Sequence, residues 1–157
     1  MIYSSAPAHT LDVSGSVAVS GTLASLGNKI AFLAYGSGGT SAPSGGAAYS
    51  MPLTNTSYNY GGGYNTTQHW FAAPIKGIYS FTGTCGGINV AGAFGLFNVT
   101  TSAWIAVHSS VATTDWVSVS ATIELNAGDC IIFRNNNSLT VTSDANTHFM
   151  GALITPT

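Results

Sequence analysis

A chain of 157 residues is long enough to bury the core of one domain. Charged residues are 5% of it, three cations (Lys29, Lys76, Arg134) against five anions (Asp12, Asp115, Glu124, Asp129, Asp144). So few cations exclude the basic stripe of a nucleic-acid binder, and so few charges leave Ser, Thr, Asn and Gly, or a covering partner, to keep the surface soluble.

The first segment, residues 1–28, reads as an extended arm. Leu11, Val13, Val17, Val19 and Leu23 share one parity with Gly15 and Gly21, and Asp12, Ser14, Ser16, Ala18, Ser20 and Thr22 occupy the other. Period two is a strand with one apolar edge, and a lone strand cannot bury that edge by itself. No basic region precedes an apolar run here, so no export signal is expected. Residues 29–35 predict a first strand, residues 36–47 a Gly/Ser-rich loop, and residues 48–53 a short second strand. Gly61, Gly62 and Gly63 predict a turn that needs positive φ or a close backbone approach. They lack the Lys-Ser/Thr tail of a phosphate loop.

Pro74 and Gly77 bracket a bend, after which Tyr79, Phe81 and Cys85 share a face. Residues 90–97 are apolar on both parities, which predicts a strand covered on both faces and, in a small sandwich, a subunit interface. Residues 103–108 predict another strand. Val117, Val119, Ala121, Ile123 and Leu125 alternate with Ser118, Ser120, Thr122 and Glu124, a strand with one buried face. Asn126–Asp129 forms the next turn, and residues 130–134, 139–142 and 148–154 complete the strands. Short strands with frequent turns, and no helical periodicity beyond one turn, indicate an all-β sandwich or jelly roll. Residues 77–99 are uncharged but broken by Gly, Ser, Thr and Asn, so no membrane span is expected.

The spacing Leu53, Asn59, Tyr64, Phe71, then Gly77-x-Tyr79-x-Phe81 resembles the signature of the complement C-one-q and tumour necrosis factor family of globular heads. An Ala127-Gly128-Asp129 turn and a closing Phe149-x-Gly151-x-Leu153 strand add to the resemblance, which covers about residues 29–155. Two positions depart from the pattern: Leu53 replaces the first aromatic, and Gly83 stands where another aromatic is usual. The resemblance implies a ten-strand antiparallel jelly roll over residues 29–157 that forms a homotrimer. Phe71, Tyr79, Phe81, Phe94, Leu96 and Phe149 are then expected in the trimer core and interface. The segment DVSGSVAVSG also resembles those that lead into trimeric knobs in phage fibres.

Catalytic chemistry is not legible. The histidines (His9, His69, His108, His148) stand apart with no HxH or HExxH spacing, and no nucleophile elbow occurs. Cys85 and Cys130 are too few for a disulfide scaffold and have no zinc-ligand spacing; free, buried thiols are expected. Asp129 is expected to accept backbone N–H groups within its turn. No enzyme, cofactor or metal is therefore expected. Tyr58, Tyr60, Tyr64, Trp104 and Trp116 are aromatic candidates for sugar stacking, with Tyr58 and Tyr60 the most exposed. The expected role is a trimeric virion surface protein, made in the host cytoplasm. It would be a capsid decoration (cement) protein or short fibre knob of a bacteriophage, held to a capsid, tail or fibre protein by its arm. The alternative is a host receptor- or glycan-binding module acting through loops at the outer end of the trimer.

Overall fold

The computed structural model describes residues 29–37, 40–41, 50–88, 92–110, 115–135, 141–142 and 146–157. The arm with Leu11, Val13, Val17, Val19 and Leu23, and residues 42–49, lie outside the described residues. The strands are β1 (Ala31–Tyr35), β2 (Thr40–Ser41), β3 (Asn55–Tyr60), β4 (Tyr64–Asn65), β5 (Trp70–Ala72) and β6 (Gly77–Ile88). They continue with β7 (Gly92–Asn98), β8 (Ala103–Ser110), β9 (Asp115–Leu125), β10 (Cys130–Asn135), β11 (Val141–Thr142) and β12 (His148–Pro156).

Two antiparallel sheets face each other. The larger runs β2-β11-β6-β12-β1-β3, with β9 on the other side of β6, and the smaller runs β4-β5-β10-β7-β8. Alternation assigns the inner faces: Phe32 and Ala34 from β1, Tyr79, Phe81 and Cys85 from β6, Val117 and Val119 from β9 and Phe149 from β12 are all buried. Phe71, Phe94, Leu96, Ile131 and Phe133 meet them from the smaller sheet. Phe32 sits at the centre of an aromatic cluster, 4.9 Å from Tyr64, 5.1 Å from Phe71 and 4.9 Å edge-on from Phe149. Such ring pairs add about 0.5–1.5 kcal/mol each beyond the area they bury.

The family spacing has a physical explanation in this core. The Asn59 side chain stands in for a strand: its Nδ2 donates to the Tyr64 carbonyl (2.8 Å) and its Oδ1 accepts from the Tyr64 N–H (3.1 Å). This closes the turn in which Gly61 and Gly62 take φ of 75° and 65°, values that a side chain would strain. Tyr64 then points inward and donates its hydroxyl to the Leu53 carbonyl at 3.0 Å. Burial raises its phenol well above the ordinary value. Leu53, Asn59 and Tyr64 thus tie one end of the sandwich shut.

Four expectations need correction. Of the strand expected at residues 48–53, the described residues 50–53 form none: Ser50 makes one isolated bridge to Arg134, and the next strand is Asn55–Tyr60. Met51 donates to the Phe133 carbonyl and Leu53 to the Met51 carbonyl, a local turn around Pro52, which has no N–H to give a ladder. Tyr64 is not an exposed aromatic but 4% exposed. Phe71, Tyr79, Phe81, Phe94, Leu96 and Phe149 are core residues of a single subunit, each at most 1% exposed, and so have no surface left for a neighbour. Finally, Phe97 on the outward side of β7 is covered by its own chain. The Trp104 ring meets it edge-on at 5.3 Å and the Arg134 guanidinium lies 4.4 Å from its centroid.

Gly83 explains the missing aromatic. A Cβ at this position would lie 2.5 Å from Cδ2 and 2.7 Å from Cγ of Phe133. The ring that fills this part of the core comes from β10 of the opposite sheet, so β6 must leave room for it.

Candidate functional site, the outer face of the larger sheet

The larger sheet turns its second face outward, and register fixes what lies there. Leu33 of β1 pairs with Tyr58 of β3 and Met150 of β12; Met150 pairs with Thr82 of β6, and Thr82 with Ser120 of β9. One row over, the sequence is Tyr60, Ala31, Ala152, Ser80 and Thr122. On the other side, Tyr35 pairs with His148, His148 with Thr84, and Thr84 with Ser118. Partners in antiparallel pairs point to the same side, so these rows form one face.

The face has two halves. Strands β3, β1 and β12 give an apolar half, in which Tyr58 and Tyr60 stack at 5.6 Å. Tyr60 is 58% and Met150 36% exposed. Strands β6 and β9 give a hydroxyl half, in which Thr82 and Ser120 lie 3.0 Å apart and Thr84 and Ser118 3.2 Å apart. The three rows contain no Asp, Glu, Lys or Arg. The Lys76–Glu124 ion pair (3.3 Å) sits at the margin, where the Thr157 hydroxyl also donates to Glu124.

Two shallow grooves cross the apolar half. A bulge between Leu33 and Ala34 leaves Ser57 facing the first, a space of ≈ 360 Å³ bordered also by Leu33, Tyr35, His148 and Met150. The second, ≈ 200 Å³, runs between Tyr58, Thr82, Met150 and Ala152. Met150 borders both. An uncharged apolar face of this kind is rarely left bare to water on a soluble chain.

The structure brings Tyr58 and Tyr60 together, but within this sheet face rather than on a loop at one end of the domain. Sequence reasoning missed Leu33, Tyr35, His148 and Met150. The signal was present: residues 31–35 are apolar on both parities, the same pattern that marks residues 90–97.

Other candidates are scattered. His69 lies in the β4–β5 turn with φ of 58°, and burial lowers its proton affinity. His108 is on β8 and His148 on β12, while His9 lies outside the described residues. Among the described residues no group of three or more His, Cys, Asp and Glu side chains is placed to hold a metal ion. Cys85 and Cys130 are free; Cys85 is buried as expected and Cys130 only half-buried. Asp129 does accept a backbone N–H, that of Asn126, at 2.8 Å. Trp104 and Trp116 are partly exposed; Trp104 is held by Phe97 and Arg134, and Trp116 lies over Gly86 on the outer face.

The two antiparallel sheets and the Asn59 and Tyr64 closure define a jelly-roll module. The family model for the C1q domain matches residues 31–154, and the chain belongs to that family. Solved structures share the fold. The globular domain of the zebrafish complement 1qA protein superposes with a TM-score of 0.67 at 14% identity, over 82% of this chain and 99% of that one. The Eiger TNF from S. frugiperda superposes with a TM-score of 0.62 at 11% identity, over 83% and 95%. No curated protein matches the chain in sequence. C1q- and TNF-like domains as a class are trimeric binding modules rather than enzymes.

Proposed function

We propose that this chain forms a homotrimer through the outer face of the larger sheet, and that the trimer is a virion surface protein. The reading rests on one observation above all: three rows of side chains across five strands without a single charge. Covering such a face with copies of itself removes Leu33, Tyr58, Tyr60 and Met150 from water. About 1,000 Å² or more of mostly apolar burial per subunit would make the interface permanent rather than transient. The hydroxyl half suits the same role, because each hydroxyl both donates and accepts and can meet its own copy.

The virion assignment is supported by the arm. Its apolar parity needs a partner strand or groove, and its sequence resembles the lead-in segments of trimeric phage knobs. Three-fold symmetry suits a three-fold or quasi-three-fold position on a capsid, which favours a capsid decoration protein over a fibre knob. Localisation on the virion surface, after synthesis in the host cytoplasm, follows from the same reading.

Sedimentation tests the trimer: a stable monomer or dimer overturns it. Deleting residues 2–26 is expected to leave a trimer that no longer attaches to particles. A truncated trimer that still decorates them overturns the arm's role, and imaging of purified particles separates hundreds of copies (decoration) from a handful (tail or fibre). The stacked, exposed Tyr58–Tyr60 pair favours a second reading, a platform for host glycans. Saturable glycan binding by the assembled protein, abolished by Tyr58→Ala or Tyr60→Ala without change of assembly state, would establish it instead.

A further inference from the structure

The larger groove contains one histidine. His148 lies in it between Tyr35 of β1 and Thr84 of β6, with Leu33, Met150 and the bulged Ser57 around it. Its Nδ1 is 2.9 Å from the Asn146 carbonyl oxygen. A carbonyl can only accept, so Nδ1 carries the hydrogen and Nε2 is the nitrogen left to take a second proton.

We infer that assembly of this protein is pH-sensitive, with protonation of His148 driving the subunits apart. The inference rests on the reading that this face is covered by further copies of the chain. In the separated subunit the groove is open, and water solvates an imidazolium at its rim. In the assembly the groove is closed by a neighbour, and the added proton is a positive charge sealed among apolar and hydroxyl groups.

Among the described residues, the groups that face it from the surrounding elements offer no compensation. Tyr35 on β1, Ser57 on β3 and Thr84 on β6 carry no charge in this range, and Ser118 on β9 stands behind Thr84. The Lys76–Glu124 ion pair of this sheet is at the opposite end of β6, beside Gly77 rather than Thr84, and Asp115 of β9 lies beyond Thr84, opposite Ile88.

The closed assembly excludes the charge and so favours the neutral ring. Protonation of the ring at low pH therefore weakens the assembly, and its stability is greatest where the ring is neutral. Three subunits bring three such rings, so the loss should be steep in pH.

The test is analytical ultracentrifugation of the full chain at about pH 7.5 and about pH 5, at fixed ionic strength. The wild type is expected to lose trimer by at least about a hundredfold in its dissociation constant, a loss that each of the three rings shares. His148→Gln keeps the size and the donor to Asn146 and should hold the trimer at both pH values. His148→Arg carries its charge throughout and should be monomeric at both, with far-ultraviolet circular dichroism showing that the subunit remains folded. A wild-type trimer that survives at pH 5, or a His148→Gln variant that dissociates as the wild type does, overturns the inference and leaves the trimer itself standing. A wild type that is monomeric at pH 7.5 overturns the trimer.

Discussion

Replacing Gly83 with alanine puts a methyl group where the ring of Phe133 already lies. The new carbon would stand 2.5–2.7 Å from Cδ2, Cε2 and Cγ of that ring, against the 3.5–4.0 Å at which carbon atoms attract (about 0.1–0.2 kcal/mol per pair). One of the two must retreat by about 1 Å. Neither can do so easily. Gly83 is fixed in ladders on both sides, opposite Phe149 and Val119, and Phe133 is 1% exposed and packed on Phe149.

Overpacking of this kind costs roughly 1–3 kcal/mol. Removing a glycine from the unfolded chain returns about 0.4–1 kcal/mol, so a net loss of about 1–2 kcal/mol is expected. A double-mutant cycle in urea, at fixed protein concentration, isolates the contact. On a Phe133→Leu background the smaller side chain leaves room, and Gly83→Ala should become neutral or stabilising, a coupling of about 1–2 kcal/mol. Additivity of the two substitutions within about 0.5 kcal/mol would show that the glycine is not there to admit the ring.

Three further outcomes are expected of the same core and face. Burial holds the Cys85 thiol up at about 12 from an ordinary 9.0 and raises the Tyr64 and Tyr79 phenols. These groups hold their protons more tightly folded than unfolded, so stability should be full below about pH 9 and fall as the pH rises through the ordinary thiol and phenol range; denaturant midpoints across that range measure it, and a flat profile contradicts it. Tyr64→Phe removes the hydroxyl bonded to the Leu53 carbonyl, and should lower the unfolding free energy by about 1 kcal/mol in urea titration. A neutral effect there would mean that the Leu53 carbonyl finds another donor. Met150→Asp places a carboxylate between the two grooves, and should break the trimer by roughly a hundredfold or more while leaving the subunit folded. Unchanged sedimentation of that variant would place the interface elsewhere.

Much of this protein is written in local patterns. Two-residue periodicity located β6 and β9, because a strand that buries one face must alternate, while short apolar runs between turn residues located β1, β10 and β12. The chained spacing from Leu53 to Phe81 marked the family, because each of its residues has a structural role. Asn59 closes a turn, Tyr64 plugs the sandwich end, and Phe71, Tyr79 and Phe81 fill the centre. The lack of charge along the chain left either Ser, Thr, Asn and Gly or a covering partner to keep the surface soluble.

What periodicity could not assign is which of two apolar faces points where. Residues 31–35 and residues 90–97 look alike as strings, both apolar at odd and even positions. In the folded subunit, Phe97 is covered by Trp104 and Arg134 of the same chain, while Leu33 and Tyr35 open onto a groove. Arg134 of β10 meets the β7–β8 hairpin only through long-range pairing, as do Gly83 and Phe133 across the two sheets. The sequence therefore determined that an apolar face exists; the packing of the two sheets decided that it is built by β3, β1 and β12, with Met150 at its centre and His148 at its rim.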